Sequence, residues 1–516
     1  MMPARPLSNA PVTTMGLEPT EAPARGVPVH GFLTSTRLLL LGVVGTALLL
    51  RVLFLGTKSL WGDEAISVAT ARLDWSGFVD LLATHNPNML LYMLLLRLWL
   101  VLGDSEWIIR SLSVIPAVVT VPALYRLGDV LFGRRVGLFA AAILAVNVFH
   151  IGHSQEARSY PLFVLLVTLS TLYFVKGTEE PSRKNWLGYV VASALAVYSH
   201  LFGVLLPIAH WVSLAFMQPR RIPWKSLIMS TAAIGILCAP MAIFLLNRSD
   251  WDLGWYTLTP RPFSVVRRFY VLAGGAAPLV VYFLASLLGV AAAVRSWRAS
   301  WATVQGWRYG VVVAWLLVPM AIAYAASFVS PTFISRYLSV SLPALVLLVA
   351  CGIAQIRRTV AQVAAVAVFA VVAAYAIGTY YATPSAENWR DAARFLLSRA
   401  DPTDAVMIYA APERPAYEYY RRRLGGPSTG PMVVFPADPK GGVWEAGSVS
   451  ERRPDDALLE AVASRYQRVW LILSHHRVES LGRDVVSRSL RQFLASRYRS
   501  IEEVPFGDIR VLSFTR

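Results

Sequence analysis

The length, composition and charge of this chain exclude an ordinary set of soluble domains. Hydrophobic residues make up 56% of its 516 residues and charged residues only 15%, with a mean hydropathy of +0.51, whereas soluble chains carry about 25% charged residues. The net charge of +17 could indicate a nucleic-acid partner. The basic residues, however, stand in short runs between apolar segments, as in the cytoplasmic loops of a multi-pass membrane protein. We therefore predict a polytopic α-helical cell-membrane protein with no nucleic-acid partner.

The first 34 residues are rich in Pro, Ala and Thr and contain no apolar run, which predicts a disordered cytoplasmic tail at residues 1–34. The segments that follow are long and apolar enough to suggest about 11 transmembrane helices within residues 35–382. The candidates are Ser35–Leu55, Trp107–Leu131, Val136–Phe149, Pro161–Val175, Trp186–His200, Leu201–Met217, Ser226–Leu246, Leu279–Val294, Gly310–Phe328, Leu338–Ile356 and Val360–Tyr381.

The basic clusters orient these spans. They stand at residues 134–135, 183–184, 220–225, 295–308 and 357–358. If the apolar segment Pro87–Gly103 does not cross the membrane, one of these clusters follows every second span. Because positive loops stay cytoplasmic, we predict that Pro87–Gly103 is a surface helix within a first external loop, residues 56–106.

The same topology places residues 383–516 outside the membrane. Helical and strand-like patterns alternate there, which predicts a soluble, extracytoplasmic α/β domain. The predicted helices are Asn388–Ala400, Pro412–Leu424, Ala457–Tyr466 and Ser487–Tyr498, and the predicted strands are Val406–Tyr409 and Val469–Leu473.

The external loops collect the residues that could carry chemistry. Asp63 and Glu64 are either a catalytic acidic pair or the acidic first turn of a helix over Ala65–Arg72. Glu156 and Arg158 stand where a span emerges, and they are either functional charges or an interfacial ion pair. Arg336 stands just before the tenth predicted span, Leu338–Ile356. It is either a snorkelling cation or a ligand for an anion such as a lipid phosphate.

The histidines show no clear metal spacing. His150 and His153 precede Glu156 at helical spacing, but a zinc site needs three or four converging ligands. A divalent metal is thus conceivable but not indicated. His475 and His476, in the tail, are predicted to be surface residues. No phosphate-binding Gly-rich loop occurs, which argues against an ATP-driven pump.

Together, these motifs resemble the C-type superfamily of membrane glycosyltransferases, in particular the branch of the protein O-mannosyltransferases and aminoarabinose transferases. The resemblance covers roughly residues 35–360, with Asn88 standing where many relatives have a second proline. It rests on the segments Trp61–Glu64, His85–Tyr92, Arg110–Ser113, Ser154–Tyr160, Tyr198–Gly203 and Arg336–Tyr337.

The resemblance implies that a sugar moves from a polyprenyl-phosphate donor to a lipid, glycan or protein acceptor outside the membrane, with inversion. It implies that Asp63, or else Glu64, is the base, and that Glu156 is the acidic residue of the second external loop, around His150–Tyr160. Residues expected to bind substrate are His85, Asn86, His153, Arg158, Tyr160, His200, Arg336 and Tyr337.

Three alternatives remain open at this stage. A lipid or solute transporter would show discontinuous helices and inverted repeats, whereas here the ionisable residues concentrate in external loops. A lipid-linked polymer ligase also uses polyprenyl donors, but Asp63-Glu64 favours the transferase. A structural or sensory protein with an external domain is the third alternative.

Overall fold

The computed structural model is mostly helical, with a small sheet near the carboxyl end. It describes residues 29–84, 88–246, 261–300, 303–329, 332–409, 413–425, 430–436, 454–474 and 483–516. The prediction of a disordered tail thus falls mainly outside the described residues. The predicted boundary of this tail at residue 34 needs correction, because the first helix already begins at Val29.

Sixteen α-helices precede the C-terminal region, residues 383–516, within the described residues. They are α1 (Val29–Val52), α2 (Gly62–Arg72), α3 (Trp75–Thr84), α4 (Leu90–Trp99), α5 (Glu106–Phe132), α6 (Arg134–Ala145), α7 (Val148–Ser154), α8 (Tyr160–Glu179), α9 (Arg183–Ser199), α10 (Leu205–Ser213), α11 (Trp224–Leu246), α12 (Pro262–Ala273), α13 (Ala276–Ser300), α14 (Val304–Ala326), α15 (Leu342–Ala354) and α16 (Thr359–Ala382).

Eight of the described helices are long and apolar enough to cross a membrane, or nine if the bent pair α6 and α7 forms one span. The predicted number of eleven is therefore not confirmed. The predicted span Val136–Phe149 is bent by 57° between α6 and α7, and α9 has only 17 residues. The predicted span Leu201–Met217 is the short helix α10 between two 3-10 turns.

The break between α6 and α7 has identifiable causes. The side chain of Asn147 accepts a hydrogen bond from the backbone N–H of His150 (2.8 Å) and so caps the start of α7. The fully buried Arg51 donates to the carbonyl oxygens of Leu144 (3.2 Å) and Ala145 (3.0 Å), in the last turn of α6. These two side chains thus hold the end of α6 and the start of α7, the helix that precedes Glu156.

The predicted non-crossing segment Pro87–Gly103 contains α4 and a 3-10 turn, Leu100–Leu102. Leu98, Val101 and Leu102 are more than 60% exposed. A short helix with such an apolar exposed end is compatible with a position at the membrane surface.

The C-terminal region, residues 383–516, contains four further helices and five strands in its described parts. The helices are α17 (Trp389–Arg399), α18 (Arg414–Gly425), α19 (Asp456–Arg465) and α20 (Arg483–Arg497). The strands are β1 (Ala405–Tyr409), β2 (Met432–Phe435), β3 (Arg468–Leu473), β4 (Arg499–Phe506) and β5 (Ile509–Thr515).

The strands form one mixed sheet in the order β2-β1-β3-β5-β4. The pairs β2-β1 and β1-β3 are parallel, whereas β3-β5 and β5-β4 are antiparallel. All four predicted helices and both predicted strands are present. Strands β2, β4 and β5 were not predicted.

The C-terminal region shares a hydrophobic core with the segment that carries Asp63. Buried Leu60, Ala65 and Val68, from the turn before α2 and from α2 itself, belong to the same cluster as Trp389 and Tyr420. Helix α18 packs directly against α2. The C-terminal region is therefore joined to the first loop by packing and is not merely tethered to it.

Candidate active site

Asp63 and Glu64 lie in the first turn of α2, whose N-cap is Trp61. Negative charges are favourable in this place because the free backbone N–H groups of a helix start are partially positive. The predicted acidic helix start is thus present. The two carboxylates nevertheless have very different surroundings.

Glu64 is completely buried and bound on both carboxylate oxygens. Arg110, on α5, donates from Nε to Oε1 (2.8 Å) and from Nη2 to Oε2 (2.7 Å), and the backbone N–H of Ala157 also donates to Oε1 (2.8 Å). Such a two-point ion pair fixes geometry. Glu64 therefore joins α2, α5 and the segment around Ala157, and leaves little room for a substrate.

Arg110 extends this framework. It donates to the carbonyl oxygens of Leu55 (3.0 Å), Lys58 (2.8 Å) and Ser59 (3.0 Å), in the turn that leads to α2. Its segment contributed to the sequence resemblance, but its role had no signal in the spacing, because Arg110 and Glu64 are 46 positions apart.

Asp63 points the other way, towards two arginines. Its Oδ2 accepts from Nη1 of Arg336 (2.8 Å) and lies 3.5 Å from Nη2 of Arg158. Arg158 also donates from Nη1 to the backbone oxygen of Asp63 and to Oγ of Ser67, both at 3.2 Å. Within the described part of the chain, Oδ1 of Asp63 has no hydrogen-bond partner, and the side chain is 21% exposed. One carboxylate oxygen is thus held by cations while the other is open to a reactant.

Glu156 is not the ion-pair partner of Arg158. Its Oε2 lies 2.9 Å from Nδ1 of His153, and 29% of the side chain is exposed. Burial alone would raise the pKa of Glu156, but the charge and hydrogen bond of His153, together with Arg336 and Arg158, hold that pKa below its ordinary value. The carboxylate of Glu156 is therefore ionised at neutral pH and faces the same group of cations as Asp63.

Aromatic side chains surround the two arginines. The guanidinium of Arg336 lies 5.8 Å from the ring centres of both Trp61 and Tyr337. The imidazole of His200 lies 4.9 Å from the ring of Tyr337 and 5.9 Å from that of Tyr160.

Three polar atoms in this aromatic group make no hydrogen bond to the described residues, and one of them is Nε1 of Trp61. The other two are the hydroxyl of Tyr160 and Nε2 of His200, whose side chains are both 1% exposed. Buried polar groups are normally hydrogen-bonded, so these two atoms are suited to a polar ligand.

Two predicted binding residues, His85 and Asn86, lie outside the described residues. Asn88, the position that departs from the related sequences, is described. Its side-chain oxygen accepts from the backbone N–H of Leu201 (3.1 Å), next to His200. The departure therefore provides a hydrogen bond between the first loop and the turn that carries His200.

The histidines of the second loop do not converge on a metal site. Nδ1 of His150 lies 2.7 Å from Nη2 of Arg51, whereas His153 contacts Glu156. In the described ranges, no group of three or more His, Cys, Asp or Glu side chains could hold a metal ion.

Ser113 is a further residue at the site, and no role was predicted for it. Its Oγ donates to the backbone oxygen of Arg158 (3.0 Å) and lies 2.8 Å from the hydroxyl of Tyr92. This contact joins α5 and α4 to the segment that presents Arg158.

The chain has the fold of the C-type membrane glycosyltransferases, and the comparisons with known proteins confirm the resemblance found in the motifs. The sequence profile of the family described as dolichyl-phosphate-mannose-protein mannosyltransferase matches residues 85–244. No curated protein sequence matches the chain significantly.

Three solved structures share the fold at low sequence identity. ArnT from Cupriavidus metallidurans, bound to undecaprenyl phosphate, is 14% identical, with a TM-score of 0.62 over 94% of this chain and 98% of that protein. The archaeal oligosaccharyltransferase AglB from Archaeoglobus fulgidus, solved with an inhibitory peptide and a dolichol-phosphate, is 11% identical, with a TM-score of 0.54 over 93% and 74%. The mycobacterial arabinofuranosyltransferase AftD is 16% identical, with a TM-score of 0.50 over 93% and 41%.

Proposed function

We propose that this protein is a membrane glycosyltransferase that moves a sugar from a polyprenyl-phosphate donor to an acceptor on the outer side of the cell membrane, with inversion. The observation that carries the proposal is Asp63, which has one oxygen held by Arg336 and Arg158 and the other open to a reactant. This arrangement places a proton acceptor next to an anion-binding pair.

Asp63 acts as the general base in this reaction. The acceptor nucleophile attacks the anomeric carbon, its proton passes to Oδ1 of Asp63, and the bond from the anomeric carbon to the phosphate oxygen breaks. A positioned base of this kind accelerates proton transfer when it lies within hydrogen-bond reach of the acceptor. Because a single displacement occurs at the anomeric carbon, the product has the inverted configuration.

Arg336 and Arg158 hold the phosphate of the donor and stabilise the negative charge that grows on it as the sugar leaves. A guanidinium suits this task because it offers paired donors to phosphate oxygens. The contacts of both arginines with Asp63 keep the base close to the pair that holds the phosphate. The similarity to ArnT, solved with undecaprenyl phosphate, supports a polyprenyl carrier.

The sugar is bound next to this pair. The hydroxyl of Tyr160 and Nε2 of His200 are available for its hydroxyl groups, and the ring of Tyr337 offers an apolar face. Glu156, together with His153, supplies a second acidic group that positions the acceptor or a sugar hydroxyl. His85 and Asn86 belong to this proposal through the sequence resemblance.

The proposal includes the membrane orientation predicted from the basic clusters. Asp63, Glu156 and Arg336 then lie at the outer surface, and so does the C-terminal region. A lipid, glycan or protein of the cell envelope is the acceptor.

The experiment uses purified protein in proteoliposomes with polyprenyl phosphate carrying a radiolabelled sugar, together with an extract of envelope acceptors. We expect the label to appear in the acceptor fraction and free polyprenyl phosphate to be released. A transporter would move the labelled donor across the vesicle with its sugar–phosphate bond intact, and a polymer ligase would accept only donors that carry a longer glycan. Either result would contradict the proposal.

A further inference from the structure

The segment that enters the C-terminal region presents a buried carboxylate to the start of helix α2. Oε2 of Glu387 accepts a hydrogen bond from the backbone N–H of Gly62 (3.0 Å) and another from Nε1 of Trp389 (3.2 Å), and the residue is 5% exposed. Gly62 is the first residue of α2 and directly precedes Asp63. A free N–H group at a helix start is stabilised by a negatively charged acceptor.

Glu387 is itself held by the sheet. The backbone N–H of Asp508 donates to the carbonyl oxygen of Ala386 (2.7 Å), and Glu387 forms an isolated antiparallel bridge with Gly507. Gly507 has a φ of +68°, and a Cβ there would overlap the carbonyl oxygen of Ala386. The turn between β4 and β5 therefore fixes the backbone from which Glu387 reaches α2.

A second contact acts on the turn before α2. The hydroxyl of Tyr420, on α18, accepts from the backbone N–H of Leu60 (2.7 Å) and lies 3.2 Å from Oε1 of Glu106. Arg390, on α17, donates to the carbonyl oxygens of Gly56 and Thr57, both at 2.9 Å. The turn that leads into α2 is thus bound on several sides by the C-terminal region.

From these contacts we propose that the C-terminal region is a working part of the transferase and that Glu387 is a positioning residue for the base. Glu387 fixes the first turn of α2, and that turn sets the direction of the Asp63 carboxylate towards the acceptor. This inference rests on the proposed function, because it concerns the geometry of the proposed base.

The role of Glu387 is tested through turnover and donor KM in the transfer assay, with the full-length protein. Glu387→Ala removes the acceptor for Gly62 N–H, and we expect kcat to fall about 10- to 100-fold, because a displacement of about 1 Å has an effect of this size. The donor KM should stay within about twofold, since Arg336 and Arg158 are untouched. Glu387→Gln retains an oxygen that accepts from Gly62 N–H and should recover most of the lost kcat.

Glu460→Ala is the matched control, because Glu460 is an exposed acidic residue of the same region that pairs only with Arg497 in the described residues. It should leave kcat unchanged. If Glu387→Ala fails to fold, Tyr420→Phe takes its place and should lower kcat with an unchanged donor KM, because it removes a hydroxyl that holds Leu60.

The outcomes separate this inference from the proposed function. If the wild-type protein transfers no sugar, the proposed function is wrong. If the wild-type protein is active while folded Glu387→Ala keeps its kcat, or loses only thermal stability, the positioning role is wrong. The same holds if Glu387→Gln is as impaired as Glu387→Ala.

Discussion

Neighbouring carboxylates acquire different roles through their partners. Glu64 is buried in a two-point ion pair with Arg110, whereas Asp63 shares one oxygen with Arg336 and Arg158. A buried carboxylate that has lost its partner is costly, so Glu64 belongs to the framework. Asp63 retains an open oxygen and is the better choice for the base.

Arg336 provides a residue-scale prediction for the donor site. Arg336→Lys replaces paired, directed donors with a point charge, so we expect a folded protein with weaker donor binding. Arg336→Ala should weaken donor binding about tenfold to a hundredfold, since a charged hydrogen bond contributes about 1.5–3 kcal/mol. Titration of undecaprenyl phosphate against each variant measures the effect.

Arg394→Lys is the control for this series, because Arg394 is exposed and pairs with Asp391 on the same helix. Its titration curve should match that of the wild type. Arg158→Lys belongs in the same experiment. Unchanged curves for both Arg336→Lys and Arg158→Lys would show that neither arginine binds the phosphate.

The sequence singled out candidate site residues, but it did not reveal their partners. Asp63, Glu156, Arg158 and Arg336 stand in recognisable motifs, and the structure brings Asp63 next to both arginines. The contact between Glu387 and Gly62 joins residues 325 positions apart. No local periodicity reports such a pair, so it could be found only in the folded chain.

At the scale of elements, the start of α2 is crowded by the C-terminal region. A Cβ at Gly62 would lie 2.5 Å from Oε2 of Glu413, a buried side chain at the start of α18. We therefore expect Gly62→Ala to displace the first turn of α2 and to lower kcat about tenfold or more. The transfer assay measures this effect.

The double variant Gly62→Ala/Glu413→Ala separates crowding from other causes. Removing the Glu413 carboxylate makes room for the new methyl group, so the double variant should be more active than Gly62→Ala alone. Non-additivity of this kind is expected for residues in contact. Equal activity of the single and double variants would show that Glu413 does not limit the space at Gly62.

Helices could be predicted from the sequence where a single hydrophobic pattern extends over the whole segment. Long apolar runs gave the spanning helices, and helical periodicity gave α17, α18, α19 and α20. Strand β4 escaped prediction because Glu502, Glu503 and Pro505 interrupt the alternation of apolar and polar residues expected of a strand. The predicted number of eleven spans is not confirmed, because apolar length does not reveal the bend after α6 or the 3-10 turns around α10.

At the scale of the whole molecule, the predicted orientation places Ser182 and Ser264 on opposite sides of the membrane. Single cysteines are introduced at these positions, with Cys238 and Cys351 replaced by alanine. The two cysteines should differ in their reaction with a membrane-impermeant thiol reagent. In intact cells, the cysteine at Ser264 should be labelled and the one at Ser182 should not.

Permeabilised cells serve as the control for this experiment, because both cysteines should then react. Labelling of the Ser182 variant alone in intact cells would reverse the orientation. Asp63 and the C-terminal region would then face the cytoplasm, and a donor presented outside could not reach the base.

The C-terminal region packs on α2, the helix that carries Asp63. Leu60 and Ala65 share their core with Trp389 and Tyr420. The helix start that carries the proposed base is held by the Arg110–Glu64 ion pair and, from the C-terminal region, by Glu387. A base fixed from two sides needs little reorganisation when substrates bind.

The most direct test of this account compares the wild type with Asp63→Asn in the transfer assay. Asparagine nearly preserves shape but cannot take the acceptor's proton, so turnover should fall about 10²–10⁴-fold. Binding of undecaprenyl phosphate should not weaken, because Arg336 and Arg158 remain and lose a competing carboxylate. Near-normal turnover of Asp63→Asn would contradict the account, and loss of turnover in a folded Glu64→Gln variant instead would assign the base to Glu64.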